Sequence, residues 1–128
     1  MKRTFTVLVL ISLASVSCTS QQGPKGVAKS YLNAVDKFDF KTAEQYLLLN
    51  EENIKSLENM KRFSEQMTTT EKEKYSDRKI HYEFKEEQIN GNMAHVSVSN
   101  DAHEQVSVIK FEMQKLNGKW LIRKIHSN

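Results

Sequence analysis

The sequence predicts an α+β domain in which N-terminal helices pack on a curved antiparallel sheet of about four strands. Apolar residues recur every three or four positions in the first half of the chain, and every second position from Arg78 onward. The second half also contains two Asn-Gly pairs, Asn90–Gly91 and Asn117–Gly118, which favour tight hairpin turns. Helices followed by hairpin-linked strands are typical of the α+β class.

Three helices are expected before the sheet. The first is amphipathic, begins near Pro24, which the first helical turn tolerates, and ends near Phe38. Asp39 is the expected N-cap of a second helix that carries Phe40, Ala43, Tyr46 and Leu47. The third follows Asn50, with the apolar series Ile54, Leu57, Met60, Phe63 and Met67. The polar stretch TTTEKEKYSDRK, residues 68–79, is expected to be a loop with at most one helical turn.

Four strands are expected after that loop. Strict alternation predicts the first two, which carry Ile80, Tyr82 and Phe84, and then Ala94, Val96 and Val98. The third covers about residues 105–115, and its apolar phase shifts between Val108 and Ile109, which predicts either a bulge or a strand packed on both faces. The fourth covers residues 120–125.

The first 17 residues have the pattern of a secretory signal peptide. Lys2 and Arg3 precede an apolar run, and small serines close it. A membrane-spanning helix is the rival interpretation, but it needs about 20 apolar residues. We therefore expect a signal peptide over residues 1–17, a linker over 18–26 and a single domain over 27–128.

Cys18, the only cysteine, follows directly after that signal. The segment Ser15–Cys18 resembles the lipobox of bacterial lipoproteins, although that family usually has leucine at the position of Ser15. The resemblance implies that the Cys18 thiol receives a diacylglycerol, that the chain is cut before it, and that the new amine is acylated, as with palmitate. Thr19, rather than aspartate, then implies the periplasmic leaflet of the outer membrane. An ordinary signal peptidase site with a free thiol is the alternative, since a lone cysteine forms no internal disulfide.

Charge and motif content exclude several function classes. The net charge of the whole chain is +3, but two of its positive charges, Lys2 and Arg3, belong to the predicted signal. The domain that remains is close to neutral, so its charge gives no reason to expect a nucleic-acid partner. No cofactor motif, phosphate-binding loop or metal-ligand spacing is visible, so we expect no cofactor and no metal.

Two segments carry a resemblance to a known fold. Residues 27–47 (VAKSYLNAVDKFDFKTAEQYL) resemble the helical start of small SnoaL-like and lumazine-binding-like domains, through Asp39, Phe40 and Ala43. Residues 117–125 (NGKWLIRKI) resemble the final hairpin of those domains, through Gly118 and Trp120. The resemblance implies the cone-shaped fold of nuclear transport factor 2, with a pocket between sheet and helices. Such domains usually have a small residue where this chain has Phe38.

Tyr31, Tyr82 and Trp120 are the candidates to line that pocket, because each has an apolar body and a polar tip. Plain core packing is the commoner role for such residues. His81 and His95 could form a polar pair across the first hairpin, able to bind a metal or move protons. Their position among charged and hydroxyl side chains favours two solvent-facing histidines instead.

Three function classes follow. The leading hypothesis is a non-enzymatic lipoprotein of the cell envelope, held at the membrane through Cys18, that binds a small ligand or an envelope protein. The second is a small enzyme of the isomerase or hydratase type that uses a pocket tyrosine or histidine. The third is a structural or assembly domain that forms a homodimer through its open sheet face. The fold alone supports all three.

Overall fold

The structure, a computed structural model, describes residues 22–77, 80–101 and 107–127. Its four strands are antiparallel neighbours in chain order, so the predicted α+β meander is confirmed. The elements are the helices α1 (Pro24–Asp36), α2 (Phe40–Glu44), α3 (Glu51–Glu65) and α4 (Thr69–Asp77), followed by the strands β1 (Tyr82–Asn90), β2 (Met93–Asn100), β3 (Ser107–Leu116) and β4 (Lys119–Ser127).

The signal peptide and Cys18 lie outside the described residues, so lipid attachment stays a prediction. Among the helices that are described, none is both long enough and apolar enough to span a bilayer.

The core lies between α1 and the inner face of the sheet. The predicted alternation is confirmed there, because side chains at alternate positions of β2 and β3 are fully buried: Val96, Val98, Phe111 and Met113. Ile122 of β4 is fully buried together with them. α1 covers this face with Val27, Ala28, Tyr31 and Leu32. This packing occupies the space between sheet and first helix, where the resemblance implied a pocket.

The end of α1 lies close to its predicted position near Phe38. The helix ends at Asp36, two residues before Phe38. The N–H of Phe38 donates to the carbonyl of Val35 (3.0 Å), and the N–H of Asp39 donates to the carbonyl of Ala34 (2.9 Å). This pair of bonds is a Schellman motif, which satisfies the last carbonyls of the helix. As predicted, Asp39 then caps α2, accepting the N–H of Thr42 at 3.2 Å.

The second helix is shorter than predicted. α2 ends at Glu44, and the chain then runs beside β4. Leu48 N–H donates to the Ile122 carbonyl, and Ile122 N–H donates to the Tyr46 carbonyl, both at 2.8 Å. These bonds cover the edge of the sheet, and an uncovered edge is a site of aggregation. A long-range pairing of this kind overrides local helical periodicity.

The interpretation of residues 68–79 as a loop was wrong, because α4 occupies residues 69–77. Thr68 and Glu71 form a reciprocal capping box: Thr68 N–H donates to Glu71 Oε2 (2.8 Å) and Glu71 N–H donates to Thr68 Oγ1 (3.1 Å). The Thr-x-x-Glu spacing is a sequence signal for a helix start. It outweighs the lack of an apolar stripe, and α4 buries none of its residues.

Of the two alternatives expected for β3, a bulge or packing on both faces, the bulge is not found in β3; bulges lie instead in β1 and β4. β3 pairs with β2 without interruption, whereas the β1–β2 register shifts at Lys85 and the β3–β4 register shifts at Arg123. An extra residue in an outer strand bends it and reverses its facing pattern. The β1 bulge thereby turns Glu87 toward α1, where its carboxylate accepts the N–H of Lys25 at 3.1 Å.

Candidate functional site

A pocket of about 500 Å³ lies among the helices. Its walls are the end of α1, the start of α2, α3 and α4. Most of its lining is apolar or aromatic: Val35, Phe38, Phe40, Met60, Phe63, Met67 and Tyr75. Pockets of this size and lining are typical of sites for small molecules.

The part of the pocket wall that α3 forms is polar along the first half of the helix and apolar along the second half. Its first half presents Glu52, Lys55, Ser56 and Asn59, and its second half presents Met60 and Phe63, followed by Met67. At about 1.5 Å of rise per residue, the distance from Glu52 to Phe63 along the helix is about 16 Å. The pocket is therefore an elongated groove with a polar end and an apolar end.

Several groove side chains are poorly covered by protein. The Phe63 side chain is 66% exposed, although phenylalanine is normally buried. Met60, Met67 and Tyr75 are only half-buried. Apolar surface gathered in one concave place is a mark of a binding site, whereas single exposed apolar residues are ordinary.

The three candidate pocket residues lie elsewhere. Tyr31 is 5% exposed and meets the ring of Phe111 edge-on at 6.2 Å between centroids, and burial raises the pKa of Tyr31 to about 12. The Tyr82 hydroxyl donates to Asp36 Oδ2 at 2.6 Å. Trp120 is buried beneath Lys115, whose ammonium lies 5.8 Å from its ring. None of the three lines the groove among the helices.

The structure does not bring His81 and His95 together. His95 lies opposite Gln88 in the β1–β2 register, and the His81 N–H donates to Asp101 Oδ1 (2.7 Å) at the other end of the hairpin. Seven residues of strand separate these positions, which is about 20 Å.

A different histidine contact forms on the outer face of the sheet. There His126 Nε2 lies 3.5 Å from Glu112 Oε1. Over residues 22–77, 80–101 and 107–127, no three histidine, cysteine or acidic side chains converge as metal ligands would.

Comparison with known proteins gives the fold. No protein-family model and no curated protein matches the chain. Among solved structures, an NTF2-like protein of unknown function from Shewanella oneidensis is similar, with a TM-score of 0.58 and 17% identity over 79% of this chain and 92% of that one. The fold is NTF2-like.

A second solved structure that is similar to this chain is also NTF2-like. A protein from Campylobacter jejuni that is named as an NTF2-like transpeptidase superposes with a TM-score of 0.56, at 16% identity, over 80% of this chain and 99% of that one. At such identities the likeness extends to the NTF2-like fold alone, and the site has to be argued from this chain's own residues.

Sequence reasoning missed the groove, although α3 carries a signal for it. Ile54, Leu57, Met60 and Phe63 follow one another at steps of three. Because 3.6 residues make a turn, a stripe with steps of three drifts around the helix by about 60° per step. Ile54 and Phe63 thus point to opposite sides, and only the residues between them can face the NTF2-like core; Leu57 is buried and Phe63 is exposed.

Proposed function

We propose that this protein is a non-enzymatic, lipid-anchored binding module of the cell envelope whose helical groove takes a small amphiphile. The apolar end of the ligand would lie beside Phe63 and Tyr75, and its polar end beside Glu52 and Lys55. The observation that carries the proposal is the groove itself: about 500 Å³, apolar over most of its lining, and polar at one end.

The expected anchor supports an amphiphile as the ligand. α1 begins at Pro24, only six residues after Cys18. Six extended residues span at most about 20 Å. A domain tethered at Cys18 by so short a segment stays close to a membrane surface, on our proposal the periplasmic leaflet of the outer membrane. An amphiphile partitions to a membrane surface because its apolar part is driven out of water.

The enzyme alternative has less support. The groove contains the hydroxyls of Ser56 and Tyr75 and the charges of Glu52 and Lys55, but its lining includes no histidine. Ser56 and Lys55 are adjacent on one helix, and side chains at that spacing do not face each other. Glu52 lies four residues before Ser56, on the same face of α3, so what disfavours catalysis is the lack of a histidine from the described groove lining.

The assembly alternative also has less support than binding. The outer face of the sheet carries hydroxyl and charged side chains, including Ser97, Lys110, Glu112 and His126. A broad apolar patch is the usual mark of a dimer interface.

The test is photolabelling of the purified full chain with a diazirine-bearing analogue of dodecanoate. Mass spectrometry of the labelled peptides is expected to place the label within residues 51–77, and excess dodecanoate should compete it away. Phe63→Ser should weaken the labelling. Ile89→Ser is the matched control, because Ile89 is 55% exposed on β1 and lies outside the groove. Unsaturable label spread over the chain, or label confined to the sheet, would refute the proposal.

A further inference from the structure

Phe38 has a backbone conformation that suits glycine. Its φ is +59°, in the left-handed region, where a side chain with a Cβ is strained. It occupies the position after the C-cap of α1, at which the Schellman motif normally has glycine. Strain of this kind persists only where the surrounding structure imposes it, and it clusters at functional sites.

The Phe38 ring bridges the gap between α1 and α4. It lies edge-on to Phe40, with centroids 6.4 Å apart, and tilted against Tyr75 at 5.3 Å. The ammonium of Lys72 lies 5.9 Å from its centroid. A glycine would leave this gap open.

Phe38 also separates two cavities of opposite character. On one side lies the apolar groove. On the other lies a depression of about 570 Å³ whose remaining lining is polar or charged, with Lys37, Lys72, Glu73 and Asp77 among its members. Of the residues that the structure describes as lining these two cavities, Phe38 alone lines both.

We infer that Phe38 is the partition that keeps the groove apolar, and hence the residue that restricts its ligands to those with an apolar body. This inference rests on the proposed binding function. Removing the ring would join the groove to a hydrated, charged depression, and the buried end of an amphiphile would then contact water.

Phe38→Gly tests the inference, because glycine relieves the backbone strain while it removes the ring. The variant is expected to unfold cooperatively, near the wild-type midpoint. The affinity of this variant for dodecanoate, measured by competition with the labelling analogue, should fall by about tenfold or more. This is the loss expected when aromatic contacts and a wall that excludes water are removed. Phe38→Leu retains apolar bulk and should bind with intermediate strength.

Asn117→Gly is the matched control. Asn117, at the β3–β4 turn, is the other described non-glycine residue with positive φ (+52°), and it lies outside both cavities. Its substitution should leave labelling unchanged.

The outcomes separate the two proposals. If the wild type shows no saturable labelling, the binding function fails and this inference fails with it. If the wild type is labelled and folded Phe38→Gly is labelled equally well, Phe38 is not the partition, while the binding function stands. Loss of cooperative unfolding in Phe38→Gly would show that Phe38 is an ordinary core residue, which also overturns the inference.

Discussion

Tyr31 shows how completely α1 fills the space above the sheet. Its phenol lies against Phe111 in the core, and burial raises its pKa from 10.0 to about 12, because a phenolate is poorly solvated there. The neutral phenol is thus the form that the folded state favours. Tyr31 is a packing residue, the more common of the two roles considered from the sequence.

This raised pKa predicts a loss of stability in alkali. The Tyr31 contribution is fully present below pH 10 and disappears as the pH rises toward 12, because the unfolded chain ionises first. The loss amounts to about 2–3 kcal/mol at most. Urea unfolding at a series of pH values should show it in the wild type and not in Tyr31→Phe. An equal loss in both proteins would show that Tyr31 is not the group responsible.

The prediction for Cys18 is that its thiol carries the lipid anchor. Cells fed labelled palmitate should incorporate it into the wild-type protein and into the Ser20→Ala control, but not into Cys18→Ala, because the thiol is the acceptor that the lipobox resemblance implies. Gel fluorography of the immunoprecipitated protein measures the incorporation. Label in Cys18→Ala, or none in the wild type, would contradict the anchor.

Among the elements, α4 depends least on the core. It buries none of its residues, and its start is stabilised by the Thr68–Glu71 capping box. It nevertheless supplies Tyr75 to the groove. A helix with so little packing opens locally more readily than the sheet does.

Thr68→Ala should therefore loosen α4 alone. Loss of an N-cap costs about 1 kcal/mol, which corresponds to a roughly fivefold faster amide exchange over residues 69–77. Hydrogen-exchange mass spectrometry measures this, with exposed Thr70→Ala as the control. The midpoint of global unfolding should not change. A matching loss of protection throughout β2 and β3 would mean that α4 is part of the cooperative core.

At the scale of the whole molecule, the sheet was predictable and the site was not. Alternation and the two Asn-Gly turns are local signals, and the strands and their order follow from them. The Asp39 cap of α2 follows from another local signal, the preference of aspartate for the N-cap position. The groove depends on where α3 and α4 lie relative to the end of α1, which is a tertiary property. The implied cone pocket was expected in a place that α1 fills with Val27 and Tyr31.

The role of Phe38 is not predictable from local sequence patterns. Its place before Asp39 departs from the small residue that is usual in the domains this chain resembles, but the reason for a bulky residue there is visible only in three dimensions. Its ring contacts Tyr75, 37 positions later in the chain. No window of helical or strand periodicity joins two such residues.

The most direct test of the central claim is methionine methyl NMR of the full chain during titration with dodecanoate. Met60 and Met67 line the groove, whereas Met113 is fully buried in the core and Met93 lies at the start of β2. If the groove binds the amphiphile, the methyl signals of Met60 and Met67 shift saturably while those of Met113 and Met93 stay in place. Unmoved Met60 and Met67 signals, or a uniform shift of all four, would contradict the account.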